Sequence, residues 1–229
     1  MLQWFEKLVD PYPTKDLNKP LPTTFFAFVW QATQGIRPYL FLLIACTAAA
    51  ACFEALFFAY IGKLVDWLSS SQPDSFFATN QQNLTILISI LFANIFFVSL
   101  QAIIKHQVLF SNFPMRMRWR FHNLLLQQSL DFFHTDFAGR LSAKVMQTAL
   151  AVREFWMILG DMVVYVFIYF VTISLVLGSI SPILIVPLII WLVLFILIAS
   201  YFIPRLGKVS QEQADARSIM TGRVTDAYT

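Results

Sequence analysis

The chain has 229 residues, 58% of them hydrophobic and only 13% charged, with a mean hydropathy of +0.67 and a formal net charge of +3. Soluble domains carry about 25% charged residues and about 45–50% apolar ones, so a soluble single-domain enzyme and a disordered chain are both excluded. The composition is that of an integral membrane protein.

The first segment holds Pro11, Pro13, Pro20 and Pro22 and no apolar stretch before Leu21, so no cleavable signal peptide is expected. Phe25–Ile36 (FFAFVWQATQGI) is apolar and aromatic but too short to cross a bilayer, and reads as a helix lying in the membrane interface. Gly35, Arg37 and Pro38 then turn the chain into the membrane, with Pro38 at a first helical position where its missing N–H costs nothing. Four stretches reach the roughly 20 apolar residues that a span requires: 38–61, 84–104, 158–178 and 182–203. None alternates as a barrel strand would, so an all-α membrane protein is predicted. Ser179, Ile180 and Ser181 alone join the last two spans.

Charge sets the expected orientation. Segment 105–157 holds seven Lys/Arg (Lys105, Arg116, Arg118, Arg120, Arg140, Lys144, Arg153) against Asp131, Asp136 and Glu154, whereas loop 62–83 has only Lys63 against Asp66 and Asp74. The end segments 1–37 and 204–229 hold four Lys/Arg each. The positive-inside rule therefore places both ends and segment 105–157 in the cytoplasm, and the basic surplus needs no nucleic-acid partner. Within that segment Met115–Phe121 (MRMRWRF) alternates, but Phe113, Met117, Phe121, Leu124 and Gln128 recur at helical spacing. The second span is thus expected to run on into the cytoplasm and to break around His134–Gly139, with a new helix from about Arg140. At about 1.5 Å per residue such an extension projects tens of Å, and Phe132, Phe133 and Phe137 at its tip imply a partner surface.

The polar groups inside the spans are few. Glu54 stands in an otherwise apolar helix, where an ionisable side chain is expensive and should face a bundle interior or a watery cavity; a cationic or polar substrate and a purely structural role both remain open. Asn94, mid-span in the second helix, reads first as an interhelical hydrogen bond and second as a substrate contact. Asp161 is expected to pair with Arg153 or to sit in interfacial water. Cys46 and Cys52 read as small packing residues, and Asn83–Thr85 (NLT) as a chance match to the glycosylation sequon. His106, His122 and His134 lie too far apart for a metal site. No arrangement suggests a buried nucleophile, so no catalytic residue is expected. The seven glycines include no Gly-x-x-x-x-Gly-Lys-Ser/Thr loop to cradle a nucleotide.

The succession of interface helix, a first span ending in Tyr60–Leu68 (YIGKLVDWL), a second running into Arg118–Phe133 (RWRFHNLLLQQSLDFF), and Gly139–Ser142 (GRLS) before re-entry resembles one family. It is similar to the transmembrane domain of ABC exporters of the bacterial multidrug and lipid half-transporter type. Ser210–Tyr228 is similar to that family's descent toward a second cytoplasmic hairpin. The resemblance implies a six-helix domain of which four spans with long cytoplasmic extensions are present: residues 1–37 as cytoplasmic end and elbow helix, and 38–229 as partial transmembrane domain with its first hairpin at 105–157. It implies that Phe132, Phe133, His134, Asp136, Phe137, Gly139 and Arg140 form a coupling tip that docks on a nucleotide-binding domain. Gly222, Arg223, Asp226 and Tyr228 would begin a second. His134 and Arg140 stand where many members have acidic residues, and Gln147–Thr148 where an Asn-Asp pair is common.

The function so implied is ATP-driven export of a hydrophobic drug or lipid from the cytoplasm or inner leaflet by alternating access. Glu54 and Asn94 are the candidate cavity residues. The resemblance further implies a second subunit, most simply in a homodimer, and the bacterial inner membrane as location. ATP and Mg would bind a domain, fused or separate, that is absent from this chain. On the residues alone a four-span scaffold or binding protein without ATP coupling stays open. An intramembrane enzyme acting on lipid would need more polar groups at one depth than Glu54 and Asn94 supply.

Overall fold

The computed structural model describes residues 3–14, 22–70, 76–135 and 138–228, and among them every regular element is helical. The helices are α1 (Gln3–Glu6), α2 (Phe25–Ala32), α3 (Arg37–Ser70), α4 (Phe76–Ile103), α5 (Asn112–Leu126), α6 (Leu130–Thr135), α7 (Ala138–Met157), α8 (Val164–Ile180) and α9 (Ile185–Tyr228). Two π-helical segments, Ile104–Leu109 and Ile158–Val163, join α4 toward α5 and α7 to α8. Four helices are long and apolar enough to cross a membrane: Arg37–Ser69, Asn80–Leu126, Leu141–Ile180 and Pro182–Gln213. The chain divides into two compact units, Met1–Ile173 and Ser174–Thr229.

The helices outrun the apolar stretches at both ends. Between the first two spans α3 continues to Ser70 and α4 begins at Phe76, so most of segment 62–83 is helical rather than loop. Polar side chains in this segment and at the start of the second span fold back on their own helix: Ser69 donates to the Val65 carbonyl at 3.0 Å, Thr85 to Gln81 at 2.9 Å and Ser89 to Thr85 at 2.8 Å. The Asn83–Thr85 tripeptide therefore lies inside a helix.

In the first unit the stripe Leu40, Leu43, Thr47, Ala51 and Ala55 is buried at helical spacing on α3, while Phe41 and Phe58 point outward. Lipid is as apolar as leucine, so helix association here relies on close approach over small residues rather than on a hydrophobic drive. Across the α3–α4 contact Phe53 stacks on Phe97 with centroids 5.6 Å apart. Along α4 the side chains Phe92, Ile95 and Phe96 are exposed, as a lipid-facing surface requires.

The core lies where α2, α3, α5, α7 and the first π-helical segment meet. It joins Ile36, Leu43, Val108, Leu109, Phe113 and Met117. Pro114 sits in the first turn of α5, where a missing N–H is tolerated, but it leaves the Phe110 carbonyl without a helical donor. Arg153 of α7 donates to that carbonyl at 3.4 Å and lies over the Phe110 ring at 4.2 Å.

The extension is interrupted a first time after Leu126. The helix ends at Leu126, and a new short helix follows because the Ser129 hydroxyl accepts from the Phe132 N–H at 3.4 Å as an N-cap. Residues 136–137 of the expected break at His134–Gly139 lie outside the described residues; His134 already belongs to α6, and α7 begins at Ala138 rather than Arg140.

The interface helix is shorter than Phe25–Ile36, closing at Ala32 with Gly35 in the left-handed region at φ 86°. The left-handed backbone at Gly35 calls for glycine, and a Cβ there would also displace the Arg116 guanidinium. The first residues are strapped along α5 in constant register. Asn112, Arg116 and Trp119 donate to the carbonyls of Glu6, Asp10 and Pro13 at 2.8, 2.8 and 3.3 Å. Tyr39 donates to Leu8 at 3.0 Å from α3.

In the second unit one extended residue, Ser181 (φ −159°, ψ 127°), separates the end of α8 from the turn Pro182–Leu184 that opens α9. A Cβ at Gly178 would push aside the terminal methyl of Ile185 across this return. The helix α9 carries Pro204 in its interior.

Candidate functional site

Four places carry the residues singled out from the sequence. The first is the tip. Phe132 and Phe133 lie on α6 with rings edge to face at 5.5 Å; Phe133 is 41% exposed and Leu130 81%. Phe132 also lines an apolar hollow of about 420 Å³ with Phe28, Phe121, Leu124, Val145 and Thr148. His134 lies within α6, and Gly139 and Arg140 within the first turn of α7, whereas Asp136 and Phe137 fall outside the described residues. The second is Gly222, Arg223, Asp226 and Tyr228, all in the final turns of α9.

The third is Glu54. Half-buried near the middle of α3, its carboxylate accepts from the Tyr165 hydroxyl of α8 at 2.5 Å. Tyr165 in turn stacks on Tyr169 one turn further, with ring centroids 5.9 Å apart and planes 12° from parallel. Asn94 is not joined to Glu54 by a hydrogen bond. Its amide donates to the Ala50 carbonyl at 3.1 Å, the interhelical role expected first. Nearby, Cys52 Sγ and the Thr172 hydroxyl are 3.4 Å apart and hydrogen-bonded, while Cys46 is buried without a disulfide.

The fourth was not anticipated. Asp161, in the second π-helical segment, does not pair with Arg153. Its two oxygens accept from Gln101 Nε2 at 2.5 Å and from Lys105 Nζ. Gln101 also donates to the Thr47 hydroxyl at 3.1 Å, so α3, α4 and both π-helical segments meet in one polar junction. Arg153 lies eight residues from Asp161 on the same rod, about 12 Å along the axis, which is out of reach. Its guanidinium goes to the Phe110 carbonyl and to Glu154 at 3.2 Å. The Lys105 and Asp161 side chains are only 28% and 19% exposed. A π-helical turn shifts the side chains beyond it around the axis, and such turns concentrate at functional places in helices. Here each one aims a charged side chain at the other.

The sequence signal for Asp161 and Lys105 was their charge at a span boundary. Tyr165, Gln101 and Thr47 had none, since hydroxyls and amides are ordinary in such helices. Among the described residues no three His, Cys, Asp or Glu side chains converge on a metal-sized space. His106 instead lies against the Phe110 ring and His122 against Trp119.

Residues 40–229 match the family described as the ABC transporter transmembrane region. The whole chain is 42% identical over 228 residues to an uncharacterised ABC transporter ATP-binding protein of Haemophilus influenzae, and it spans 37% of that protein's length. No solved structure matches.

Proposed function

Because this chain belongs to the ABC transporter transmembrane family, we propose that it is the membrane-embedded part of an ATP-driven exporter. The cargo in this reading is a hydrophobic or amphipathic compound, drug or lipid, taken from the cytoplasm or inner leaflet and released outward by alternating access. A second subunit, most simply a copy of the same chain, completes the pathway. Residues 1–37, the α5–α7 arm and the end of α9 face the cytoplasm of a bacterial inner membrane, in accord with their Lys and Arg. No phosphate-binding loop occurs in this chain, so ATP and Mg would bind a domain outside these residues, fused or separate.

The observation that supports coupling is the continuity of the arms. The rod Asn80–Leu126 runs from a membrane span to the base of the tip, and Leu141–Ile180 returns from it. Arg153 on Phe110 and Asp161 on Lys105 and Gln101 tie the two rods together at two levels. A displacement that reaches the base of the tip is therefore carried toward the membrane by a braced pair of helices. Phe132, Phe133 and the residues through Arg140 are the docking surface in this mechanism, and 222–228 the start of the second.

The test is Phe133→Ala in the full-length gene product reconstituted in liposomes. Basal ATP hydrolysis should persist while cargo-stimulated hydrolysis and uptake are lost. Unchanged cargo stimulation would sink the tip assignment, and absence of any ATP-driven movement in the parent protein would sink the exporter reading.

A further inference from the structure

The apolar stretches 38–61 and 158–178 hold one carboxylate each, Glu54 and Asp161, and the two differ in how their charge is answered. Asp161 has an ammonium and an amide inside the chain. Glu54 has one neutral donor, the Tyr165 hydroxyl, and among the described residues no Lys, Arg or His reaches it. The hydroxyl gives the carboxylate one hydrogen bond but supplies no positive charge. An ionised carboxylate half-buried in hydrocarbon is costly until a cation joins it.

The surroundings restrict what that cation can be. Glu54 stands between Phe53 and Phe57 on α3, and Phe53 is stacked on Phe97. Across from it the Tyr165–Tyr169 pair places two parallel aromatic rings beside the carboxylate. Aromatic faces attract organic cations and repel anions through their quadrupoles. The carboxylate carries one charge, and among the described residues no cluster of acids, histidines or cysteines gathers there to suit a divalent metal ion. Asn94 is turned to the Ala50 carbonyl, one helical turn below, which leaves the carboxylate as the sole charged group at this level among the described residues.

We propose that Glu54, held by Tyr165 and flanked by the Tyr165–Tyr169 stack, is a recognition site for a lipophilic monovalent organic cation, either a quaternary onium ion or a protonated amine on an apolar body. The proposal rests on the export reading, for it names the cargo class of that same pathway. Tyr165 is the positioning residue: it fixes one carboxylate oxygen and leaves the other for the ligand.

The experiment uses the full-length product in detergent and two probes of one shape, tetraphenylphosphonium and tetraphenylborate, with affinities measured by equilibrium dialysis without ATP. Glu54→Gln should weaken tetraphenylphosphonium by about tenfold or more, since it deletes one charge pair in a poorly hydrated site, and should leave tetraphenylborate unchanged or tighter. Glu54→Asp, which keeps the charge, should retain most of the phosphonium affinity, and Tyr165→Phe should lower it only a few-fold. An unchanged phosphonium affinity in Glu54→Gln, or an equal loss of both ions, overturns the proposal. A second measurement needs no variant: tetraphenylphosphonium, and not tetraphenylborate, should protect Glu54 from labelling by dicyclohexylcarbodiimide. Labelling that is absent or indifferent to the phosphonium counts against the site. Because binding needs no turnover, Glu54-dependent binding without ATP-driven uptake would overturn the export reading and leave the site standing.

Discussion

Two levels of the first unit invite comparison: the junction around Asp161 and the mid-span level around Glu54. At the junction, charge meets charge and amide meets hydroxyl, so Thr47, Gln101, Lys105 and Asp161 close on one another. At mid-span each polar group has one neutral partner: Tyr165 for Glu54, the Ala50 carbonyl for Asn94, Thr172 for Cys52. The first arrangement braces helices and is complete. The second is open, and an open charge inside a membrane helix points to a ligand. Depth and charge alone do not distinguish the two acids; the partners do.

The sharpest way to break this contrast is Asp161→Leu. It leaves the Lys105 ammonium without its carboxylate in a place only 28% exposed. Losing one member of a fully buried pair costs about 3–5 kcal/mol, and the partial exposure here lowers the expectation to about 2–3 kcal/mol. Unfolding in mixed detergent micelles measures it. The double change Lys105→Met with Asp161→Leu should recover at least half of the loss, because neither charge is then left alone. Equal stability of single variant and parent would mean that the junction braces nothing.

Arg116→Ala probes the strap next to the junction and ranks second. It removes the guanidinium bonds to the Asp10 and Gln34 carbonyls, for about 1–2 kcal/mol, since bonds to a charged donor at a partly exposed place contribute modestly. The local signature is faster proteolysis of residues 3–14. Resistance equal to that of the parent would show that Asn112, Trp119 and Tyr39 hold the strap without it.

Glu54→Gln ranks third in stability although its effect on ligand should be large. Glutamine still accepts from Tyr165, so the change should stay within about 1 kcal/mol, the scale of a single hydrogen bond between membrane helices. A loss as large as that of Asp161→Leu would erase the contrast and make Glu54 a brace as well.

The unequal legibility of these features has physical causes. The four spans follow from apolar run length, and the helical extension from the spacing of Phe113, Met117 and Phe121, of which the first two are buried. Glu54 was visible because a charge in an apolar run stands out. Its partner was not, since Tyr165 lies on another helix among residues of similar hydropathy. The π-helical segments leave no mark, because Ile104–Leu109 would suit an α-helix equally well, and the extra residue per turn answers packing between rods. For Asp161 the expectation of Arg153 or interfacial water fails because Lys105, on the neighbouring rod, is level with it and Arg153 is not. The strap is read through backbone carbonyls, which every residue has. At the tip the interruption after Leu126 comes in addition to the break expected around His134–Gly139, and Ser129 with Asp131 marks the helix start that follows it.

Asn94→Leu carries the smallest expected effect, and its smallness is informative. The Ala50 carbonyl that Asn94 reaches lies within α3, so it already accepts the helical N–H of residue 54 and the Asn94 amide uses only its second lone pair. Leucine of similar volume removes donor and acceptor atoms together from Asn94 and leaves no orphan on α3. The loss should be about 0.6 kcal/mol, the average for interhelical hydrogen bonds in a membrane protein. Phosphonium binding should hold within about threefold, because the Asn94 amide is engaged by the backbone below the carboxylate. A loss of phosphonium affinity matching that of Glu54→Gln would move Asn94 from the helix contact into the ligand site, and would make the mid-span level a two-residue recognition surface rather than one charge beside a tyrosine pair.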